Sequence, residues 1–112
     1  MNKKNIAVLG LGYWGTIVTK TLVSLKIFDK IYIYDIETKK VNILKKEFKN
    51  KVEYINFEEI IKNKKINNVF LATPPKNNFF LLKKLINAKK NILIEKPGLI
   101  SLNDYKKIKK QV

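Results

Sequence analysis

The stretch Asn5-Ile6-Ala7-Val8-Leu9-Gly10-Leu11-Gly12-Tyr13-Trp14-Gly15 decides how this chain folds. A short apolar run with the composition of a buried strand passes directly into a G-x-G-x-x-G spacing, and an amphipathic run from Trp14 to Leu25 follows. Strand, tight turn and helix joined this closely open a βαβ unit. Each glycine has its own physical reason: Gly10 permits the turn, Gly12 lets a phosphate group approach the backbone, and Gly15 lets the helix pack closely on the sheet. The N-terminus of the helix adds unpaired N–H groups and the positive end of its dipole, so the turn reads as a cradle for a diphosphate.

Working outward, short β-rich runs alternate with longer amphipathic ones. The strands are expected at Asn5 to Leu9, Lys30 to Tyr34, Val52 to Ile55, Asn68 to Leu71 and Asn91 to Ile94. Helices are expected at Trp14 to Leu25, Lys39 to Phe48, Phe57 to Lys62, Asn78 to Ala88 and Leu102 to Lys110. Asn56 stands three residues before Glu59 and Ser101 three before Asp104, which is the spacing of a helix N-cap. Alternation of this kind predicts an α/β fold: a doubly wound parallel sheet of five strands in the order 3-2-1-4-5, with right-handed crossovers and helices on both faces. No repeat, linker or low-complexity tract interrupts it, so residues 1–112 read as a single dinucleotide-binding domain.

Two further places carry chemistry. Asp35 ends the second strand about 20 residues beyond the glycines, where a carboxylate accepts hydrogen bonds from the adenosine ribose hydroxyls and repels a 2′-phosphate. That favours NAD(H) over NADP(H), although Thr38, Lys39 and Lys40 follow closely enough to hold a phosphate. The fourth strand ends in Ala72-Thr73-Pro74-Pro75 and the fifth in Glu95-Lys96-Pro97-Gly98. Proline cannot continue a ladder, so both segments leave the sheet at its carboxyl edge, where open α/β sheets bind their ligands. Lys96, held there by the following proline, can meet a substrate hydroxyl beside the nicotinamide and exchange a proton with it.

Composition removes other chemistries. The 112 residues contain no Cys and no His, so the sequence predicts no disulfide, no metal site and no Ser-His or Cys-His nucleophile. The net charge of +15 comes from 24 basic residues that are all Lys, spread along the chain and never interleaved with a base-reading pattern. Planar, bidentate recognition of phosphates and bases favours Arg, so no specific nucleic-acid partner is expected. The apolar run from Ile6 to Leu11 is too short for a signal segment or a membrane span, and a cytoplasmic protein with no membrane partner is expected.

Taken together, the Gly10 to Gly15 turn with Tyr13 and Trp14 inside it, Asp35, the Ala72-Thr73-Pro74-Pro75 corner and the Glu95-Lys96-Pro97 corner resemble the cofactor domain of the Gfo/Idh/MocA oxidoreductases. The resemblance implies a nicotinamide-dependent enzyme acting on a sugar, cyclitol or nucleotide-linked sugar, with Lys96 as the catalytic lysine. It also implies that Gly10, Gly12, Tyr13, Trp14, Gly15, Asp35, Ala72, Thr73, Pro74, Pro75, Asn78, Glu95 and Lys96 surround the cofactor, with Glu95 orienting Lys96. Asn78 stands where the family often has a histidine, which alters a contact near the nicotinamide. The Gly-Tyr-Trp-Gly form of the turn is similar to members that modify sugars of cell-surface polysaccharides. A sixth strand and a second domain carrying the substrate pocket and the oligomer interface, as in a homo-oligomeric full-length form, are further implications, and the sequence ends at Val112 before either. It therefore reads as the cofactor domain of a longer enzyme or as a domain working with a partner. The competing reading is a module that binds NAD without turnover.

Overall fold

The computed structural model describes residues 4–112. Its elements run β1 (Asn5–Leu9), α1 (Tyr13–Leu25), β2 (Lys30–Tyr34), α2 (Thr38–Phe48), a single 3-10 turn (Lys49–Lys51), β3 (Val52–Tyr54), α3 (Phe57–Lys62), β4 (Asn68–Leu71), α4 (Pro75–Asn87), β5 (Asn91–Ile94) and α5 (Leu102–Gln111). The five strands form one parallel sheet in the order β3-β2-β1-β4-β5. This is the expected doubly wound fold.

Strand alternation explains the two layers. Ala7 and Leu9 of β1 with Val69 and Leu71 of β4 enter a core closed by Ile60 of α3 and by Leu82 and Leu85 of α4. Val8 and Phe70, one residue out of step, enter the opposite core with Ile31, Ile33, Val41 and Leu44, packed by Val18 and Leu22 of α1. Consecutive strand residues point to opposite faces, so a sheet covered on both sides needs continuous apolar runs. Each fully buried Leu or Ile contributes roughly 1.5–3 kcal/mol relative to exposure.

Helix boundaries follow local chemistry. Asn56 Oδ1 accepts from the Glu59 N–H at 2.9 Å, and Ser101 Oγ from the Asp104 N–H at 3.1 Å, so both expected caps are made. The start of α4 differs from expectation: it begins at Pro75 rather than Asn78. Proline fits the first helical position because its fixed φ suits the helix and no N–H is needed there. The shift brings Asn78 into the first turns of α4.

Lys90 shows how an abundant surface residue is used inside. Its ammonium donates to the carbonyls of Asn63 at 2.8 Å and Ile66 at 2.6 Å, closing the turn between α3 and β4. Burial holds this amine below the ordinary lysine value of 10.5. The folded form therefore releases this proton before the unfolded chain does, so the residue's contribution to stability rises with pH on approach to 10.5. Replacing Lys90 by Met should cost about 1–3 kcal/mol in urea unfolding at neutral pH, because two carbonyls lose their donor. The gap between wild type and variant should widen toward alkaline pH.

Candidate functional site

Register places the chemistry. Leu9 pairs with Tyr34 on one side and Leu71 on the other, and Leu71 pairs with Ile94, so four strands end level. The next residues continue the ladder by one bond each: Gly10 N–H to Tyr34 O, Ala72 N–H to Leu9 O, and Glu95 N–H to Leu71 O. The glycine turn, Asp35, the Thr73 corner and the Lys96 corner consequently emerge side by side, around a cleft of about 870 Å³.

The glycines divide into two kinds. A Cβ on Gly15 would lie 1.7 Å from the carbonyl oxygen of Gly10, and one on Gly10, whose φ is +91°, would lie 2.7 Å from the Ala72 backbone carbon. These two are required by packing. A Cβ on Gly12 would meet nothing within 4 Å, although Gly12 lines the cleft. Its missing side chain leaves space that no protein atom uses. Gly12 is also the N-cap of α1 and offers no side chain to the amides of the first turn, which stay free for an anion.

Asp35 holds this turn in place. One carboxylate oxygen accepts from the Leu11 N–H at 2.7 Å and the other from the Glu37 N–H at 2.8 Å. Each oxygen keeps a lone pair, so the half-buried carboxylate can still accept from hydroxyls in the cleft. The residues present thus fit a dinucleotide: open space at Gly12 for the diphosphate, and a fixed acceptor at Asp35 for a ribose.

Of the other expected site residues, Ala72, Thr73, Pro74, Pro75, Glu95 and Lys96 all line the cleft. Lys96 is exposed and forms no ion pair among the described residues, Glu95 included. Tyr13, Trp14, Gly15 and Asn78 stand outside the lining. Tyr13 and Trp14 form an exposed edge-to-face pair with centroids 5.1 Å apart at the start of α1. Asn78 is wholly buried beneath the corners.

Sequence reasoning missed several walls of the cleft. Ile36, exposed to 79%, and Phe80, exposed to 70%, are large apolar groups lining it, and half-buried Phe57 lines it as well while packing against the core. Lys76 adds positive charge, as does Lys40, which the sequence had already marked as able to hold a phosphate and which lies 3.6 Å from Glu37. Ile36 was findable, since it directly follows Asp35 at the carboxyl edge. Phe80 follows Phe79 in a helix and carries no signal of its own.

The family model described as "Oxidoreductase family, NAD-binding Rossmann fold" matches residues 4–112, and the chain belongs to this Gfo/Idh/MocA family. Solved structures share the fold at low identity. An NAD-binding protein from Listeria innocua is 23% identical with a TM-score of 0.83, covering 99% of this chain and 31% of its own. Myo-inositol 2-dehydrogenase from Lactobacillus plantarum is 21% identical with a TM-score of 0.83, covering 97% and 32%. Scyllo-inositol dehydrogenase from Lactobacillus casei, solved with NAD(H) and scyllo-inositol, is 18% identical with a TM-score of 0.79, covering 97% and 32%. The chain spans about a third of the length of these proteins. No curated protein matches it significantly.

The split among the glycines is testable by stability alone. Gly15→Ala should destabilise the fold by about 3 kcal/mol or more, since backbone must move. Gly12→Ala should cost less than about 1 kcal/mol, the small preference of an N-cap for glycine over alanine. Urea denaturation of both variants measures the difference, and equal stabilities would contradict it.

Proposed function

We propose that this chain is the cofactor-binding part of an NAD-dependent dehydrogenase that interconverts a carbinol and a ketone on a sugar, cyclitol or nucleotide-linked sugar. The observation that carries the reading is the cleft itself, in which the Asp35 carboxylate, free space at Gly12 and the Lys96 amine follow one another along a single sheet edge. Family membership supports the oxidoreductase class. The inositol dehydrogenases that share the fold support a polyhydroxylated substrate, completed by elements outside these 112 residues.

In this mechanism, bound NAD supplies the hydride acceptor. The α1 N-terminus and the space at Gly12 hold the diphosphate, with Lys40 and Lys76 adding positive charge nearby. Asp35 accepts from the adenosine ribose and disfavours a 2′-phosphate by like-charge repulsion, so NAD is preferred to NADP. Lys96, at the end of the cleft away from Asp35, takes the hydroxyl proton during oxidation and returns it during reduction. A homo-oligomeric full-length form acting in the cytoplasm belongs to the same reading. Among the described residues no helix is long and apolar enough to cross a membrane.

Trp14, the single tryptophan, lies two residues beyond Gly12 and reports on the cradle. Saturable quenching by NAD or NADH, much weaker with NADP, is the expected result. No response together with no thermal shift would sink the cofactor assignment. Asp35→Asn should weaken NAD binding by roughly tenfold, the loss of about one good hydrogen bond to a charged group, while narrowing the gap to NADP. In a full-length form, Lys96→Ala should abolish turnover and leave NAD affinity nearly intact. A variant that still turns over would remove Lys96 from the mechanism, and a wild type that binds NAD without turnover on any polyol would favour a non-catalytic module.

A further inference from the structure

We propose that Asn78, which does not line the cleft, is a positioning residue that ties the β4 corner to the β5 corner and sets the Thr73 hydroxyl as a hydrogen-bond acceptor for the nicotinamide-riboside end of the cofactor. The inference rests on the reading of the cleft as an NAD site. It starts from burial: Asn78 is fully buried in the first turns of α4, so both ends of its carboxamide need partners. Its Nδ2 donates to the carbonyl of Gly98 at 2.7 Å, and its Oδ1 accepts from the hydroxyl of Thr73.

The directions of these bonds are dictated by chemistry. A backbone carbonyl only accepts, so the amide nitrogen must face Gly98 and the amide oxygen must face Thr73. That oxygen also only accepts, so the Thr73 proton is committed to it. Thr73, which lines the cleft, then has only lone pairs left for a ligand. Whatever meets it there must be an O–H or N–H donor.

Sheet order says which part of a dinucleotide that is. Asp35 leaves β2, the glycine turn leaves β1, Thr73 leaves β4 and Lys96 leaves β5, and these strands are neighbours in that order. With the adenosine ribose at Asp35 and the diphosphate at Gly12, the part that reaches β4 and β5 is the nicotinamide riboside, which carries ribose hydroxyls and a carboxamide N–H. Gly98 lies two residues past Lys96, and a Cβ there would stand 3.0 Å from Ile94 Cδ1, so the loop packs down tightly on its own strand. The Asn78 bond to its carbonyl therefore holds the lysine corner in fixed relation to Thr73.

Isothermal titration calorimetry with NADH and with ADP, on this chain and on Thr73→Val and Asn78→Ala, tests the idea. ADP has the adenosine and diphosphate but lacks the nicotinamide riboside, so it reports on the cradle alone. Expected is a loss of roughly tenfold in NADH affinity in both variants with ADP affinity changed by less than about twofold, the signature of one hydrogen bond lost at one end. Equal losses for NADH and ADP would reduce the tie to a structural brace and overturn the proposal, as would unchanged NADH affinity in Thr73→Val. Thermal melts establish that each variant is folded. Should Asn78→Ala not fold, Thr73→Val, which keeps the β-branched shape of a half-buried residue, decides alone. A wild type that binds neither ligand would fail the cofactor reading first and this inference with it, whereas one that binds both isolates the inference.

Discussion

Leu9 is held at one level by neighbours on both sides, and that level governs the molecule. Its pairing with Tyr34 and Leu71, extended by Leu71 with Ile94, makes four parallel strands end together. Both faces of the inner strands β1, β2 and β4 are covered, so sliding one of these by one residue would exchange its two sets of side chains between cores. Two-sided packing thus locks the register, and the register lines up the residues that follow each strand. The site is a consequence of the core.

Within the site, structural and ligand-directed roles are shared out among similar residues. Gly10 and Gly15 are small because backbone crowds against them, whereas Gly12 is small with nothing nearby to crowd it. Asp35 likewise has two roles, since its carboxylate already accepts from two backbone N–H groups that brace the turn. A carboxylate fixed in this way can meet a hydroxyl donor without further ordering, which lowers the entropic cost of binding. Charge follows the same logic: three of the nine acidic residues, Asp35, Glu37 and Glu95, line the cleft of a strongly basic chain. Net charge governs nonspecific attraction to anions, and local charge governs which anion fits.

Much of this was legible in residue order. Strand and helix positions, the sheet order, both side-chain caps and the residues leaving the carboxyl edge follow from apolar periodicity and from glycine and proline, whose effects are local. The start of α4 was misread by three residues because Pro74 and Pro75 read equally well as a corner and as a helix opening, and only the path of the chain separates the two. Asn78 illustrates the harder case. Its type and place hint at a cofactor contact, while its position in space makes it a buried link between Thr73 and Gly98.

The sequence by itself determined the element order, the parallel sheet and the glycine, carboxylate and lysine positions, because each depends on backbone freedom, capping or alternation within a few residues. Tertiary structure alone decided that Gly12 faces open space, that Ile36, Phe57 and Phe80 wall the cleft, that Lys90 of all the lysines turns inward, and that Asn78 joins two corners. Those outcomes depend on where distant segments come to lie, as in the contacts of Asn78 with Gly98 and of Lys90 with Asn63 and Ile66, made only once the register of the sheet brings them together.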